Sequence, residues 1–211
     1  MKRILLFLGT LTLMMTPAFA QERSVDLTGW VSYVDPSGET DFEDGEVAEF
    51  DSEQGFGVGI NVFWTNALST EFAAILAEPD LTLRANDPAV PDVVGSLEMM
   101  PLTATLQYHF NPNGRFDPYL GGGVAYVLFD DIDSEDLDSI DFDSIDFDDD
   151  YGFVANAGLS IDLTETFALN LDAKYVPVSS PARAVVGGIE TDEVDFDINP
   201  LIFSAGISLQ F

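Results

Sequence analysis

Residues 101–129, PLTATLQYHFNPNGRFDPYLGGGVAYVLF, limit what this chain can become more than any other stretch. In the first arm Leu102, Ala104, Leu106, Tyr108 and Phe110 fall on one side, and Thr103, Thr105, Gln107 and His109 on the other. Strict alternation over nine residues is the period of a strand whose two faces meet different surroundings. Asn111-Pro112-Asn113-Gly114 then supplies turn chemistry, with Pro presetting φ while Asn and Gly tolerate φ > 0. The second arm, from Tyr119 onward, contains Gly121-Gly122-Gly123, which suits a bend or a close backbone approach. The unit is a long antiparallel hairpin with aromatic residues near both ends of its arms.

Segments of this size recur along the chain. The pattern predicts strands at 25–34, 55–64, 69–77, 101–110, 119–129, 151–162, 167–178 and 201–211. Each is close to the ~9–11 residues with which a tilted strand crosses a bilayer. The connections 65–68, 111–116 and 163–166 are short, whereas 35–53, 78–100, 130–150 and 179–200 are long. Short alternating with long is the rhythm of an up-and-down barrel whose turns face one compartment and whose loops face another. The expected fold is therefore all-β, an eight-stranded antiparallel up-and-down transmembrane β-barrel.

The first twenty residues read differently. Lys2-Arg3 precedes an apolar run at 4–15, and Thr16-Pro17-Ala18-Phe19-Ala20 ends in an A-x-A pattern. That is a secretory signal, too short for a membrane span, with cleavage expected after Ala20. Residues 21–211 then form a single barrel domain. No later run of 18 apolar residues offers a helical span, and the absence of cysteine removes disulfides and thiolate metal sites.

Hydrophobic residues make up 46% of the chain although it also carries 38 acidic residues, so the two kinds must be segregated. Most of the acid lies in the four long connections. Residues 130–150 hold twelve acidic side chains and a tandem DSIDF at 138–142 and 143–147. A formal net charge of −31 argues against nucleic-acid binding, which needs a basic footprint. Carboxylate clusters suit hard cations, but 141–150 lacks the Gly and ligand ladder of an EF-hand. The loop reads as solvated and disordered, with its Ile and Phe a product of repeat expansion and at most weak cation accumulation.

Parity decides which face is outside. The last strand sets Leu201, Phe203, Ala205, Ile207, Leu209 and Phe211 against Ile202, Ser204, Gly206, Ser208 and Gln210. A soluble lipocalin-like barrel would turn the apolar set inward, and its exterior would carry many Lys and Glu. Here the second set is small, neutral and sparsely charged, as a narrow lumen requires. The apolar set, edged by Tyr33, Trp64, Tyr108, Phe110, Tyr175 and Phe211, fits a lipid-facing band with aromatic girdles.

The stretches at 101–131, 150–176 and 198–211 resemble the OmpW family of eight-stranded outer-membrane barrels. The family pattern F-x-P-Y-x-G-x-G-x-x-Y is met by Phe116, Pro118, Tyr119, Gly121, Gly123 and Tyr126. Phe211 resembles the terminal aromatic that such barrels present to their assembly machinery. The resemblance implies a monomer in the outer membrane of a Gram-negative cell, surrounded by lipid. It also implies passage or binding of small hydrophobic molecules through a narrow lumen, with exit sideways into the lipid as one route.

Inward parity makes Trp30, Glu71, Gln107, His109, Asn156, Asn170, Asp172 and Lys174 the candidate lumen residues. Glu71, Asp172 and Lys174 form either a constriction that excludes ions or a salt-bridge plug, since an unpaired buried charge is costly. Trp30 is expected to line a hydrophobic pocket or to fill the bore. His109 is the single histidine, with no nucleophile pattern nearby, so a hydrogen-bonding role is expected rather than Ser-His-Asp catalysis. No cofactor or metal is implied. Two functions remain: a passive route for small apolar solutes, or a plugged surface barrel whose acidic loops bind partners or cations.

Overall fold

The computed structural model describes residues 24–36, 39–41, 47–84, 93–130, 132–133, 144–147, 149–186, 189–190 and 194–211. The expected signal at 1–20 and the first copy of the DSIDF repeat lie outside them. β1 (Val25–Pro36) leads into β2 (Glu39–Asp41) and β3 (Val47–Phe50), and β4 (Glu53–Thr65) runs back. β5 (Leu68–Leu76) is followed by β6 (Asp80–Arg84) and β7 (Val93–Ser96), then by β8 (Met99–His109). β9 (Phe116–Phe129) leads through β10 (Ile132–Asp133) and β11 (Ser144–Phe147) to β12 (Asp150–Asp162). β13 (Phe167–Tyr175), β14 (Ser179–Val186), β15 (Ile189–Glu190), β16 (Val194–Asp197) and β17 (Pro200–Gln210) complete the order.

Eight strands close on themselves in the order β1-β17-β13-β12-β9-β8-β5-β4, all antiparallel. The closing ladder runs from Asp26↔Gln210 to Pro36↔Pro200. Its lower end is tied by Ser24 N–H donating to Phe211 O (2.7 Å) and Phe211 N–H donating to Val25 O (2.9 Å). Two of the three short turns use the same device. Thr65 Oγ1 accepts from the amides of Ala67 and Leu68, and Thr164 Oγ1 from those of Thr166 and Phe167. A threonine hydroxyl thereby takes up backbone donors that the ladder leaves free at the turn.

The long connections are not the plain loops the sequence predicted. β2, β3, β6 and β7 form one small sheet, and β10, β11, β14 and β15 another, with β16 paired to β14. Ser144–Phe147, in the second copy of the acidic repeat, is a strand whose Ile145 stands opposite Ala184. SIDF at 144–147 and VDFD at 194–197 alternate apolar with polar residues, mostly aspartate. That is the strand period again, hidden beneath a charge run.

On the barrel the parity is as predicted. Phe56, Val58, Trp64, Tyr108, Phe110, Val124, Tyr151 and Phe153 point outward, each more than half exposed. A continuous apolar belt of this kind is a lipid-facing surface. Leu171, in mid-β13, also faces out. Leu171→Arg is therefore expected to cost about 2–4 kcal/mol of stability in lipid, because a cation near the bilayer midplane is stranded in hydrocarbon. Guanidinium unfolding in liposomes reads this out, and a soluble barrel would tolerate the change.

Candidate functional site

The inward parity of all eight strands fills the bore. The structure places Trp30, Glu71, Gln107, His109, Asn156, Asn170, Asp172 and Lys174 inside it, every one buried. Lys174 Nζ lies 2.8 Å from Glu71 Oε1 and 2.6 Å from Asp172 Oδ1. The other Asp172 oxygen accepts from Tyr119 OH (2.8 Å) and Asn156 Nδ2 (3.0 Å). β13 and β5 stand four strands apart in either direction around the closed order. The Lys174–Glu71 ion pair is thus a strut straight across the bore. At that level Lys174 is paired with both carboxylates and two neutral donors serve Asp172, which is what keeps buried charge tolerable.

Small residues make room for the large ones. A Cβ at Gly206 would sit 2.5 Å from Trp30 Cε3, and one at Gly158 would collide with the Cζ and hydroxyl of Tyr119. With these two rings crossing the bore, the space left between Trp30, Asn61, Glu71 and Gln107 is about that of one water molecule. A hydrophobic pocket at Trp30 is not what the structure contains. Lys174 Nζ sits 5.4 Å from the Trp30 ring, and Asp26, Thr28, Asn170 and Ser208 share the gap.

Toward the turn end the lumen is mainly polar, with Phe63 buried against the His109 ring at 5.0 Å between centroids. A carboxylate can only accept, so His109 Nδ1–H donates to Asp117 Oδ2 (2.7 Å), and Nε2 then accepts from the Ser69 hydroxyl (3.0 Å). Asp117 Oδ1 accepts in turn from the Asn111 amide (3.1 Å). Sequence spacing gave no nucleophile for His109, yet the β5–β8 register brings Ser69 to it. The order of contacts is that of a Ser-His-Asp relay. Ser69 is fully buried, however, and the neighbouring gap has no room for an ester. As it stands the trio cross-links β5, β8 and β9.

Above the strut the lumen changes character. Val34, Ile75, Ala77, Met99, Val127 and Ile202 are buried there, all apolar. At that height one seam is broken. The β5–β8 ladder runs from Leu68↔Tyr108 to Ala74↔Leu102, then resumes only at Ala77↔Met99. Ala77 and Met99 exchange both backbone hydrogen bonds (3.1 and 2.8 Å), which sets the phase of the ladder. Two residues below, the next exchanging pair would be Ile75 with residue 101. Residue 101 is proline and has no N–H to give.

Four functional residues escaped the sequence reading. Tyr119 and Asp117 flank Pro118, at which the predicted strand stopped short, although β9 begins at Phe116. Asn61 and Ser69 are unremarkable until the register sets Asn61 opposite Glu71 and Ser69 opposite Gln107. Their inward parity was the available signal.

A closed eight-stranded antiparallel barrel, apolar without and polar within, defines an outer-membrane barrel protein. The model of the OmpW family matches residues 21–211, and the chain belongs to that family. Outer membrane protein AlkL of Ectopseudomonas oleovorans is 30% identical over 118 residues, 56% of this chain and 49% of that protein. Outer membrane protein W of Vibrio cholerae is 29% identical over 112 residues, 52% of this chain and 51% of the relative. These matches span about half the length of each relative. The crystal structure of OprG from Pseudomonas aeruginosa superposes with a TM-score of 0.78 at 22% identity, covering 91% of this chain and 98% of that one. The protein resides in the outer membrane of a Gram-negative cell.

Lys174→Met leaves Glu71 and Asp172 buried without their cation. Stability should fall by about 3–5 kcal/mol, measured by urea unfolding in detergent micelles. Adding Glu71→Gln and Asp172→Asn should restore most of the loss, since an uncharged set leaves no orphaned charge.

Proposed function

We propose that this barrel gives small hydrophobic molecules a passive route from the cell exterior into the outer membrane, leaving sideways through the β5–β8 seam. The observation that carries this reading is the interrupted ladder at Pro101, level with the apolar upper lumen and above the Lys174 strut. A solute entering from the loop end sheds water against Ile75, Met99 and Val127. It cannot go on down the bore, where rings, charges and hydrogen-bonded side chains fill the space. The wall beside it forms no bridge at the two residue pairs between Ala74↔Leu102 and Ala77↔Met99, because Pro101 has no N–H to give, and outside lie acyl chains. No energy source enters, because the solute moves down its own partition gradient.

The family supports this reading, since its resemblance implies passage of small hydrophobic molecules. The competing reading, a plugged barrel acting only through its acidic loops, draws on the same closed bore. Pro101→Ala separates the two by returning an N–H to the Ile75 position. Uptake of a small uncharged fluorescent hydrocarbon by cells lacking other such routes should fall at least several-fold, with barrel assembly unchanged on heat-modifiability gels. Unchanged uptake would favour the surface reading.

We hold the Ser69–His109–Asp117 trio to be structural. An active-site-directed fluorophosphonate should leave Ser69 unlabelled in the folded barrel, whereas His109→Ala should lower the unfolding midpoint. Phe211, its side chain more than half exposed at the barrel rim, is assigned to recognition by the assembly machinery.

A further inference from the structure

We propose that the lumen below the strut is a binding site for one ordered water molecule, held between the Trp30 indole, the Asn61 carboxamide and the Glu71 carboxylate. Trp30 Nε1 and Asn61 Oδ1 are buried and have no hydrogen-bond partner among the described residues. Buried polar atoms of this kind are nearly always satisfied, so a pair facing the same space points to a guest. They do face the same space, since Trp30, Asn61 and Glu71 all line the small gap in the bore. The backbone brings them together. A Cβ at Gly59 would lie 2.9 Å from Trp30 Nε1, so the indole nitrogen sits over that glycine. Gly59 and Asn61 are successive inward positions on β4, and Asn61 stands directly opposite Glu71 on β5.

The donor set selects the guest. Asp26, Thr28, Asn170 and Ser208 also line the gap but have partners of their own. What is left to a guest is one N–H donor, one carbonyl acceptor and the Glu71 carboxylate, whose ion pair with Lys174 leaves it further acceptor capacity. Water fits all three, accepting from the indole and donating to Asn61 Oδ1 and to Glu71. A metal ion or ammonium would meet the indole hydrogen with positive charge, beside a lysine 5.4 Å from the same ring. An organic solute is too large for a gap of this size. The inference rests on the closed bore and does not depend on sideways passage.

The test uses the full mature chain, 15N-labelled and refolded in detergent micelles. Trp64 is the internal reference, because its Nε1–H already donates to Thr70 Oγ1 (2.9 Å) on the outer face. Cross-peaks from the water frequency to the Trp30 indole N–H are expected, of opposite sign in NOE and ROE spectra, as for water that tumbles with the protein. Asn61→Leu should abolish them and shift the Trp30 indole resonance while leaving Trp64 in place. If Asn61→Leu does not refold, Asn61→Val provides the same comparison at smaller volume, again without an acceptor. A wild-type Trp30 without water cross-peaks would overturn the proposal. So would cross-peaks unchanged in the Asn61 variant, or an indole resonance that titrates with sodium or potassium and so reports a cation.

Discussion

A backbone in hydrocarbon can satisfy its N–H and C=O groups only on itself. In this chain that constraint is met by closure, with β1 hydrogen-bonded to β4 on one side and β17 on the other. Once the sheet is closed, side-chain parity has no freedom left. Every second residue is committed to lipid and every other to a bore that eight strands make barely wide enough for side chains. The apolar band, the aromatic girdles and the crowded interior are consequences of that one requirement.

The interior then solves a second problem. Charges inside a barrel ringed by lipid are tolerable only when paired and hydrogen-bonded. Lys174 meets two carboxylates, and Tyr119 and Asn156 complete the coordination of one of them. Inward glycines 158 and 206 let Tyr119 and Trp30 reach across. The bore is thus polar and filled below the strut and apolar above it. Pro101 lies in the apolar part, where it interrupts the β5–β8 ladder.

Much of this was legible before the structure. Alternation along 102–110 and 201–211 fixed both the strand period and the lipid face, because a period of two admits only two assignments and composition chooses between them. The same parity placed Trp30, Glu71, Asp172 and Lys174 in the bore. Contacts between strands were not legible. Ser69 meets His109 through register, which no local pattern encodes. Tyr119 entered only as the start of a strand and a residue of the family pattern, and Asp117 was lost because the predicted strand began after Pro118, whereas β9 begins at Phe116. The sheets beyond the barrel were missed because aspartate masked the alternation of Ile145, Phe147, Val194 and Phe196. The polar surroundings of Trp30 could not be foreseen from a tryptophan alone.

The central claim is that the bore is sealed to water-borne solutes by the Lys174 strut and the side chains packed around it. Single-channel recording of the mature protein in planar bilayers at moderate salt tests it most directly. The account predicts a flat baseline at applied voltages that open-lumen porins readily pass. Steady ohmic current in symmetric salt, abolished by filling the bore with a bulky residue at Gly158, would contradict it.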